Sequence, residues 1–278
     1  MPSGGITIFG VLNVTRDSFS DGGRFLEPAV AVEHAMRLVE DGADVVDVGA
    51  VSSHPEAEEV PAAEEIRRLS AVVPELVRRG VAVSVDSWRP EVQRWALAQG
   101  VAWLNDIRGF GDASFHPELA ASTAGLVVMH STSRGPRARR EEADAEAVWT
   151  GLLGFCDARV AELVGAGVAR GRIVLDPGMG LFLAANPEPS LLVLDRIPQL
   201  KERYGLPVFV GVSRKSFVTK IARFARAARG VTAAARRDSA SLAAELYAVE
   251  RGATFLRTHD PRPLRASLAG GSVPAAPT

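Results

Sequence analysis

The feature that most constrains this chain is a rhythm. Eight short, nearly all-apolar runs rich in β-branched residues, at 6–12, 45–48, 81–85, 103–105, 126–129, 173–175, 208–210 and 255–257, are separated by longer segments with helical punctuation. Continuous apolar runs of this length are expected of parallel strands buried on both faces, not of half-exposed alternating ones. Pro28 opens a helical pattern that ends at Gly42. A second ends at Gly80, with Pro74 inside it as an expected kink, Pro90 opens a third, and a pattern from Ser239 ends at Gly252. Proline just inside a helix start and glycine just past its end is the expected asymmetry. Eight βα units leave a doubly wound sheet or a closed barrel. The first strand is followed by Asn13-Val14-Thr15, not by a glycine-rich dinucleotide loop, and the GMG at 178–180 lacks the third glycine of that pattern. Within 278 residues, eight units favour a single-domain α/β fold, the (β/α)8 TIM barrel. The barrel is expected over 1–269, with 270–278 as a flexible tail.

Composition narrows the function. The 32 basic and 33 acidic residues leave a net charge of −1, which offers no global attraction to nucleic acid or to an acidic membrane. No apolar run approaches the roughly 18 residues of a membrane span. The opening MPSGGITIFGVLNV has neither a basic n-region nor an A-x-A-like site, so a soluble, cytoplasmic protein is expected. The single cysteine, Cys156, excludes an intramolecular disulfide and a cysteine-rich metal site; its place in an outer helix suggests a buried structural thiol. Two segments break the rhythm. The polar stretch 131–150 reads as a long loop running into an added helix. The basic stretch 217–237, with Lys220, Arg223, Arg226, Arg229, Arg236 and Arg237, reads as a solvated helix face plus a loop, or as guidance for an anionic substrate.

In a βα barrel the chemistry collects at the C-terminal ends of the strands, and there this chain is polar. The ends carry Asn13, Thr15, Asp17 and Ser18; Ser52, Ser53 and His54; Asp86; Asn105 and Asp106; His130; Asp176; Ser213, Arg214 and Lys215; and Arg257 and His259. Helix caps and loop anchors account equally well for Ser52, Ser53 and Ser87, and better for Asp112. His34 and His116 carry no expected chemistry. Asp86, Asn105 and Asp176 are different, since two carboxylates and an amide at one low-dielectric opening need a ligand or each other. Their acceptors suit a flat heterocycle with an amidine-like NH edge. Lys215, Arg257 and His259 would form a cationic rim fit for phosphate, and Asn13 is an oxygen donor able to complete the shell of a phosphate-bound Mg2+. The residues alone thus point to a barrel enzyme acting on a phosphorylated or pyrophosphorylated heterocycle.

Six motifs in order then resemble the dihydropteroate synthase family: LNVTRDSFSDGG at 12–23, VDS at 85–87, LNDI at 104–107, DPGMG at 176–180, SRKSF at 213–217 and RTHD at 257–260. The resemblance runs from about residue 6 to residue 268. It implies a pterin-binding barrel that condenses 6-hydroxymethyl-7,8-dihydropterin pyrophosphate with p-aminobenzoate in folate synthesis, uses Mg2+ and forms a homodimer. Carried over by position, Asp86, Asn105, Asp176 and Lys215 match residues that hold the pterin, with Asp86, Asp176 and Lys215 as the catalytic set. Asn13 matches the Mg2+ and pyrophosphate contact. Arg257 and His259 match positions that stack on the pterin and bind the pyrophosphate. Ser213 matches a contact to the p-aminobenzoate carboxylate, and Ser53 a contact to the same ring.

The departures gather where p-aminobenzoate would bind. Ser52-Ser53-His54 replaces a Ser-Thr-Arg run, Arg16 replaces a common proline, and Met179-Gly180-Leu181-Phe182-Leu183 shifts an aromatic by one and drops a lysine. With SSHPEA, VVMHS and SLAAEL, these features resemble the acquired, sulfonamide-insensitive branch of the family, in which Phe182 would obstruct the drug. The simpler reading of Phe182 is packing in the barrel mouth. Two other functions share part of the pattern. A methyltetrahydrofolate-binding methyltransferase domain would share the pterin pocket but has no use for a pyrophosphate rim. A non-catalytic pterin-binding paralogue would lack turnover.

Overall fold

Each of the eight apolar runs forms a strand in the computed structural model, which describes residues 5–14, 28–52, 60–133, 140–218 and 232–270. The strands are β1 (Thr7–Asn13), β2 (Val45–Gly49), β3 (Val83–Asp86), β4 (Trp103–Asp106), β5 (Gly125–Met129), β6 (Ile173–Asp176), β7 (Phe209–Val210) and β8 (Phe255–Thr258). All pair in parallel, in the order β6-β5-β4-β3-β2-β1-β8-β7. A bridge between Leu175 and Val208 joins the two outer strands, and the Leu175 N–H donates to the Pro207 carbonyl at 2.9 Å. The sheet therefore curls into a nearly closed (β/α)8 barrel.

The surrounding helices are α1 (Pro28–Glu40), α2 (Ala62–Ser70), α3 (Val73–Arg78), α4 (Pro90–Ala98), α5 (His116–Ala121), α6 (Ala145–Gly165), α7 (Glu188–Asp195), α8 (Ile197–Tyr204), α9 (Ala233–Glu250) and α10 (Pro261–Gly270). The expected kink at Pro74 is a full break: α2 stops at Ser70, and Pro74 sits in the first turn of α3, where its missing N–H costs nothing. The added helix expected after 131–150 is corrected. That segment runs into α6, the crossover from β5 to β6, whose start is capped by Asp144 accepting from the Ala147 N–H at 2.8 Å. Cys156 is buried on α6, and burial pushes its thiol up to about 12. Asp112 caps a short 3₁₀ turn, as read from the sequence. Among the described residues no helix is long and apolar enough to cross a membrane. Residues 219–231 of the basic stretch and the tail from 271 lie outside the described residues.

Inside the barrel, side chains alternate with the strand period of two. The lower interior layer is apolar: Phe9, Val45, Val127, Val174, Phe209 and Phe255 pack together, with Trp103 against them. Phe9 is fully buried and meets Phe209, Trp103 and Phe255 edge-on at 5.1, 5.5 and 6.1 Å between ring centres. Two residues further along β2, β4, β6 and β8 the interior turns polar, with Asp47, Asn105, Asp176 and Arg257. This packed floor is what lets the upper layer be a site and not a pore. Phe9→Ala is expected to cost about 3–5 kcal/mol, since the ring ensemble cannot collapse into the void. Chemical denaturation measures it, and a loss below about 1 kcal/mol would show that the floor is not a rigid support.

Candidate active site

Strand register builds the upper layer. Asn13 pairs with Gly49, Gly49 with Asp86, and Asp86 with Asn105, so the ends of β1 to β4 reach one level. Asp47 lies two residues below Gly49 on the same interior face and is wholly buried. Arg257, two residues after Phe255, also starts low, in register with Phe9. Its side chain rises through the interior, where Nε donates to Asp47 Oδ2 at 2.6 Å and Nη2 to Asp86 Oδ2 at 2.9 Å. Asp47 also accepts from the Asn105 side-chain amide at 3.2 Å. Asp176 ends β6, where its Oδ1 accepts from the Gly178 N–H at 2.8 Å. That turn demands glycine: Gly178 has φ +75°, and a Cβ there would stand 2.3 Å from the His130 carbonyl oxygen.

These side chains surround an open cavity of about 730 Å3 lined by Asp86, Asn105, Asp176, Lys215 and Arg257, with Ile107, Met129, Met179, Phe182 and Trp88 as its apolar walls. The Lys215 ammonium lies 4.4 Å from the centre of the Phe182 ring. Burial sets the protonation of the group. It pushes Asp86 up to about 7, against the pull of Arg257 and with the help of the Asp47, Glu65 and Asp106 charges. It pushes Asp176 up to about 6, although the Gly178 N–H and Lys215 oppose it. It draws Lys215 down to about 8, assisted by Arg257.

The expected cationic rim is only partly present. Lys215 faces the cavity, but Arg257 spends two of its nitrogens on interior carboxylates, because its register starts it deep in the barrel. His259 and Ser213 do not line this cavity; they lie beside it, with His259 Nδ1 and the His259 backbone N–H each 3.2 Å from Ser213 Oγ. Asn13 ends β1 next to the cavity, its Oδ1 and Asp86 Oδ2 both flanking Gly49. Phe182 packs with Ile107 and Met129, and Trp88 and Leu181 lie against them. Ser53, with His54 and Arg16, lies outside the described residues.

As a metal position, this end of β1 supplies one neutral oxygen. No group of three His, Cys, Asp or Glu side chains able to hold an ion occurs among the described residues. Mg2+ keeps several waters and takes substrate phosphate oxygens readily. Asn13 therefore fits an ion that arrives on a pyrophosphate and does not fit a permanently caged one.

Comparison with known proteins identifies the family. The family model of pterin binding enzymes matches residues 9–259. The type-2 dihydropteroate synthase of Escherichia coli is 51% identical over 266 residues, covering 95% of this chain and 94% of that protein. The chain belongs to the dihydropteroate synthases. Among solved structures, the Xanthomonas albilineans dihydropteroate synthase with 4-aminobenzoic acid superimposes with a TM-score of 0.84 at 33% identity, covering 99% of this chain and 95% of that one. The Anaplasma phagocytophilum dihydropteroate synthase with bound 6-hydroxymethylpterin-monophosphate gives 0.80 at 36% identity, covering 95% and 97%.

Several residues of this synthase site escape a rule that looks only at strand ends. Asp47 sits mid-strand, and its signal is a lone carboxylate in the otherwise apolar VVDVG, which must find a buried partner. Glu65, buried on α2, reaches the cavity edge beside Ser87 and lies 3.3 Å from the Arg89 guanidinium, and burial raises its pKa. Trp88 lies on the cavity wall with the Arg89 guanidinium 4.2 Å above its ring. Nothing in the pattern of strands marks either residue.

The buried carboxyls give a pH prediction. Asp176 titrates near 6 when folded and near 3.9 when unfolded. Below both values it contributes fully; as pH rises from about 4 to about 6 the unfolded state releases its proton first, and stability is lost. An Asp176→Asn variant cannot titrate there, so its stability relative to the parent should climb through that window by on the order of 3 kcal/mol and level off above it. Denaturant midpoints across the window measure this, and a constant difference between the two proteins would contradict the raised pKa.

Proposed function

We propose that this synthase condenses 6-hydroxymethyl-7,8-dihydropterin pyrophosphate with p-aminobenzoate, giving dihydropteroate and pyrophosphate. The observation that carries the reading is the cavity itself: Asp86, Asp176 and Asn105 present acceptors and an amide beside the cations Lys215 and Arg257, under the apolar walls of Ile107, Met129 and Phe182. Carboxylate and amide oxygens match the NH edge of a pterin, and the apolar walls match its flat faces.

In this mechanism the bond between the pterin methylene carbon and the pyrophosphate oxygen breaks, and its electron pair leaves with the pyrophosphate. The positive charge left on the pterin spreads into the ring, and the arylamine nitrogen then bonds to the methylene carbon and releases a proton. Asp86 stabilises the growing cation without bonding to it. Arg257 holds Asp86 in place from below. Asp176, oriented by the Gly178 N–H, grips the pterin edge, and Lys215 stands between the two ring positions. His259 contacts the pyrophosphate, and Ser53 and the turn that carries Ser213 serve the p-aminobenzoate side. Asn13 would hold Mg2+ with the pyrophosphate, and a bound Mg2+ supplies charge stabilisation to the leaving oxygens. Pyrophosphate release in the presence of both substrates tests the reaction, and its absence would favour a non-catalytic pterin-binding paralogue.

The proposal extends to a cytoplasmic homodimer and to insensitivity to sulfonamides. Val164 on α6 and Leu191 on α7 are exposed large apolar side chains that the proposed dimer would cover, and sedimentation mass tests it. A sulfonamide differs from p-aminobenzoate only beyond the aniline ring, so it can be rejected only by an obstruction there. Phe182, pinned by the Thr132 N–H donating to its carbonyl at 2.9 Å, is the rigid side chain proposed to supply it. Phe182→Gly should keep p-aminobenzoate turnover and become inhibited by micromolar sulfonamide, a binding energy on the order of 8 kcal/mol. Equal inhibition of parent and variant would remove the insensitivity.

Asp86→Asn should lose turnover by about a thousandfold while its KM changes little, because the carboxylate acts on charge that appears only as pyrophosphate leaves. Steady-state kinetics on the folded variant measures it. An unchanged kcat would take Asp86 out of the mechanism.

A further inference from the structure

One buried carboxyl on the outer wall of the barrel is unused by the mechanism. Glu245 lies on α9, four residues after Ser241, so both face the same way. Ser241 Oγ accepts the Arg214 N–H at 3.0 Å. This anchors the turn after Ser213, where Arg214 is held at φ +59°, a conformation costly for a residue with a side chain. Thr258 alternates with Arg257 on β8; Arg257 enters the barrel, so Thr258 points outward, toward α9. Glu245 thus meets the hydroxyls of Thr258 and Ser213. It is 2% exposed, and its Oε1 is buried without a hydrogen-bond partner. Ser213 Oγ in turn lies 3.2 Å from both the backbone N–H and Nδ1 of His259.

We propose that Glu245 is a positioning residue that sets the tautomer of His259 through Ser213, and so decides whether the imidazole can donate a hydrogen bond to the pyrophosphate. The inference rests on the reading of His259 as a pyrophosphate contact. Two proton arrangements fit the Ser213 hydroxyl and the imidazole. When Glu245 is protonated, its O–H and the His259 backbone N–H both donate to Ser213 Oγ. The Ser213 hydroxyl then donates to Nδ1, and the imidazole proton resides on Nε2, where it can meet an anion. When Glu245 loses its proton to solvent, the carboxylate takes the Ser213 hydroxyl. Nδ1–H then donates to Ser213 Oγ, and Nε2 presents a lone pair that repels phosphate oxygens. The tautomer of a neutral histidine follows from the bond its other nitrogen makes.

The surroundings favour this switch near neutrality. Burial pushes Glu245 up to about 7, and the one other charge acting on it among the described residues is Asp260, which pushes the same way. His259 is driven down to about 3 by burial and by Arg257, Arg214, Lys215 and Arg237, so it is a neutral ring that must donate as the correct tautomer or not at all.

Glu245→Gln, close in shape and fixed as a neutral donor, is the test. The KM for dihydropterin pyrophosphate is measured from pH 6 to 8.5 on both proteins, because Asp86, Asp176 and Lys215 titrate in the same interval in each. The parent should lose affinity relative to the variant as pH rises through about 7, by roughly tenfold at the alkaline end, the value of one hydrogen bond to a charged group. The nitrogen shifts of His259 in histidine-labelled, ligand-free protein should move from the Nε2–H to the Nδ1–H pattern over the same range in the parent and stay at Nε2–H in the variant. Superimposable KM profiles with an unchanging tautomer in both proteins would overturn the proposal. His259→Ala separates the two layers of inference. If it leaves the KM for the pyrophosphate substrate unchanged, the reading of His259 fails. If it raises that KM while Glu245→Gln behaves as the parent, the relay alone fails.

Discussion

The guanidinium of Arg257 lies between Asp47 and Asp86 inside the barrel, and most of the site hangs from it. Two carboxylates and a guanidinium out of bulk water are stable only with good geometry, and loss of one partner strands a charge at a cost of about 3–5 kcal/mol. Here the geometry is set by register: Arg257 begins on the level of Phe9, Asp47 lies two residues below the strand ends, and Asp86 is at the top. A long side chain rising through the interior therefore meets one carboxylate on its way to another. Asp47 also takes the Asn105 amide, so a mid-strand carboxylate orients a group on β4 as well as one on β8. Arg257 is better described as the internal brace of the site than as a rim cation.

Burial drives opposite charges toward the same pH. It raises Asp86 and Asp176 to about 7 and about 6 and lowers Lys215 to about 8. Groups poised near neutrality change state when a charged ligand arrives. In the proposed reaction, positive charge appears beside Asp86 as pyrophosphate departs, and that charge favours the ionised carboxylate at the step that uses it. A site made of fully ionised surface groups would be screened by water and respond less.

The barrel was legible because a parallel barrel imposes one demand on every strand, burial on both faces, and that demand is written into composition: all eight apolar runs are strands. Asp86, Asn105 and Asp176 were legible because carboxylates and an amide gathered at the mouth of such a barrel are costly to desolvate unless they serve a ligand or one another. Asp47 was not, since a rule that reads ends ignores the middle of VVDVG. Trp88 and Glu65 were not, because a loop and a helix bring them to the cavity, and no periodicity marks them. The rim was misjudged for a related reason. Sequence position puts Arg257 at a strand end, whereas the stagger of β8 against β1 puts its Cα well below the ends of β2 and β3.

That stagger also explains why the last quarter of the barrel leans on its helix. β7 has two residues and meets β6 through the single bridge of Leu175 and Val208. A ladder that short cannot by itself hold the turn carrying Ser213, Arg214 and Lys215. The constraint comes instead from α9, which bonds the turn through Ser241 and faces it with Glu245. A carboxylic acid in that place ties the β7 turn to Thr258 on the neighbouring strand, so the weakly paired end of β7 shares one polar anchor with β8. An apolar residue would pack there as well but would leave the Thr258 and Ser213 hydroxyls without that partner. Chain connectivity therefore makes α9 both the crossover that delivers β8 and the wall that fixes what β7 presents to the site.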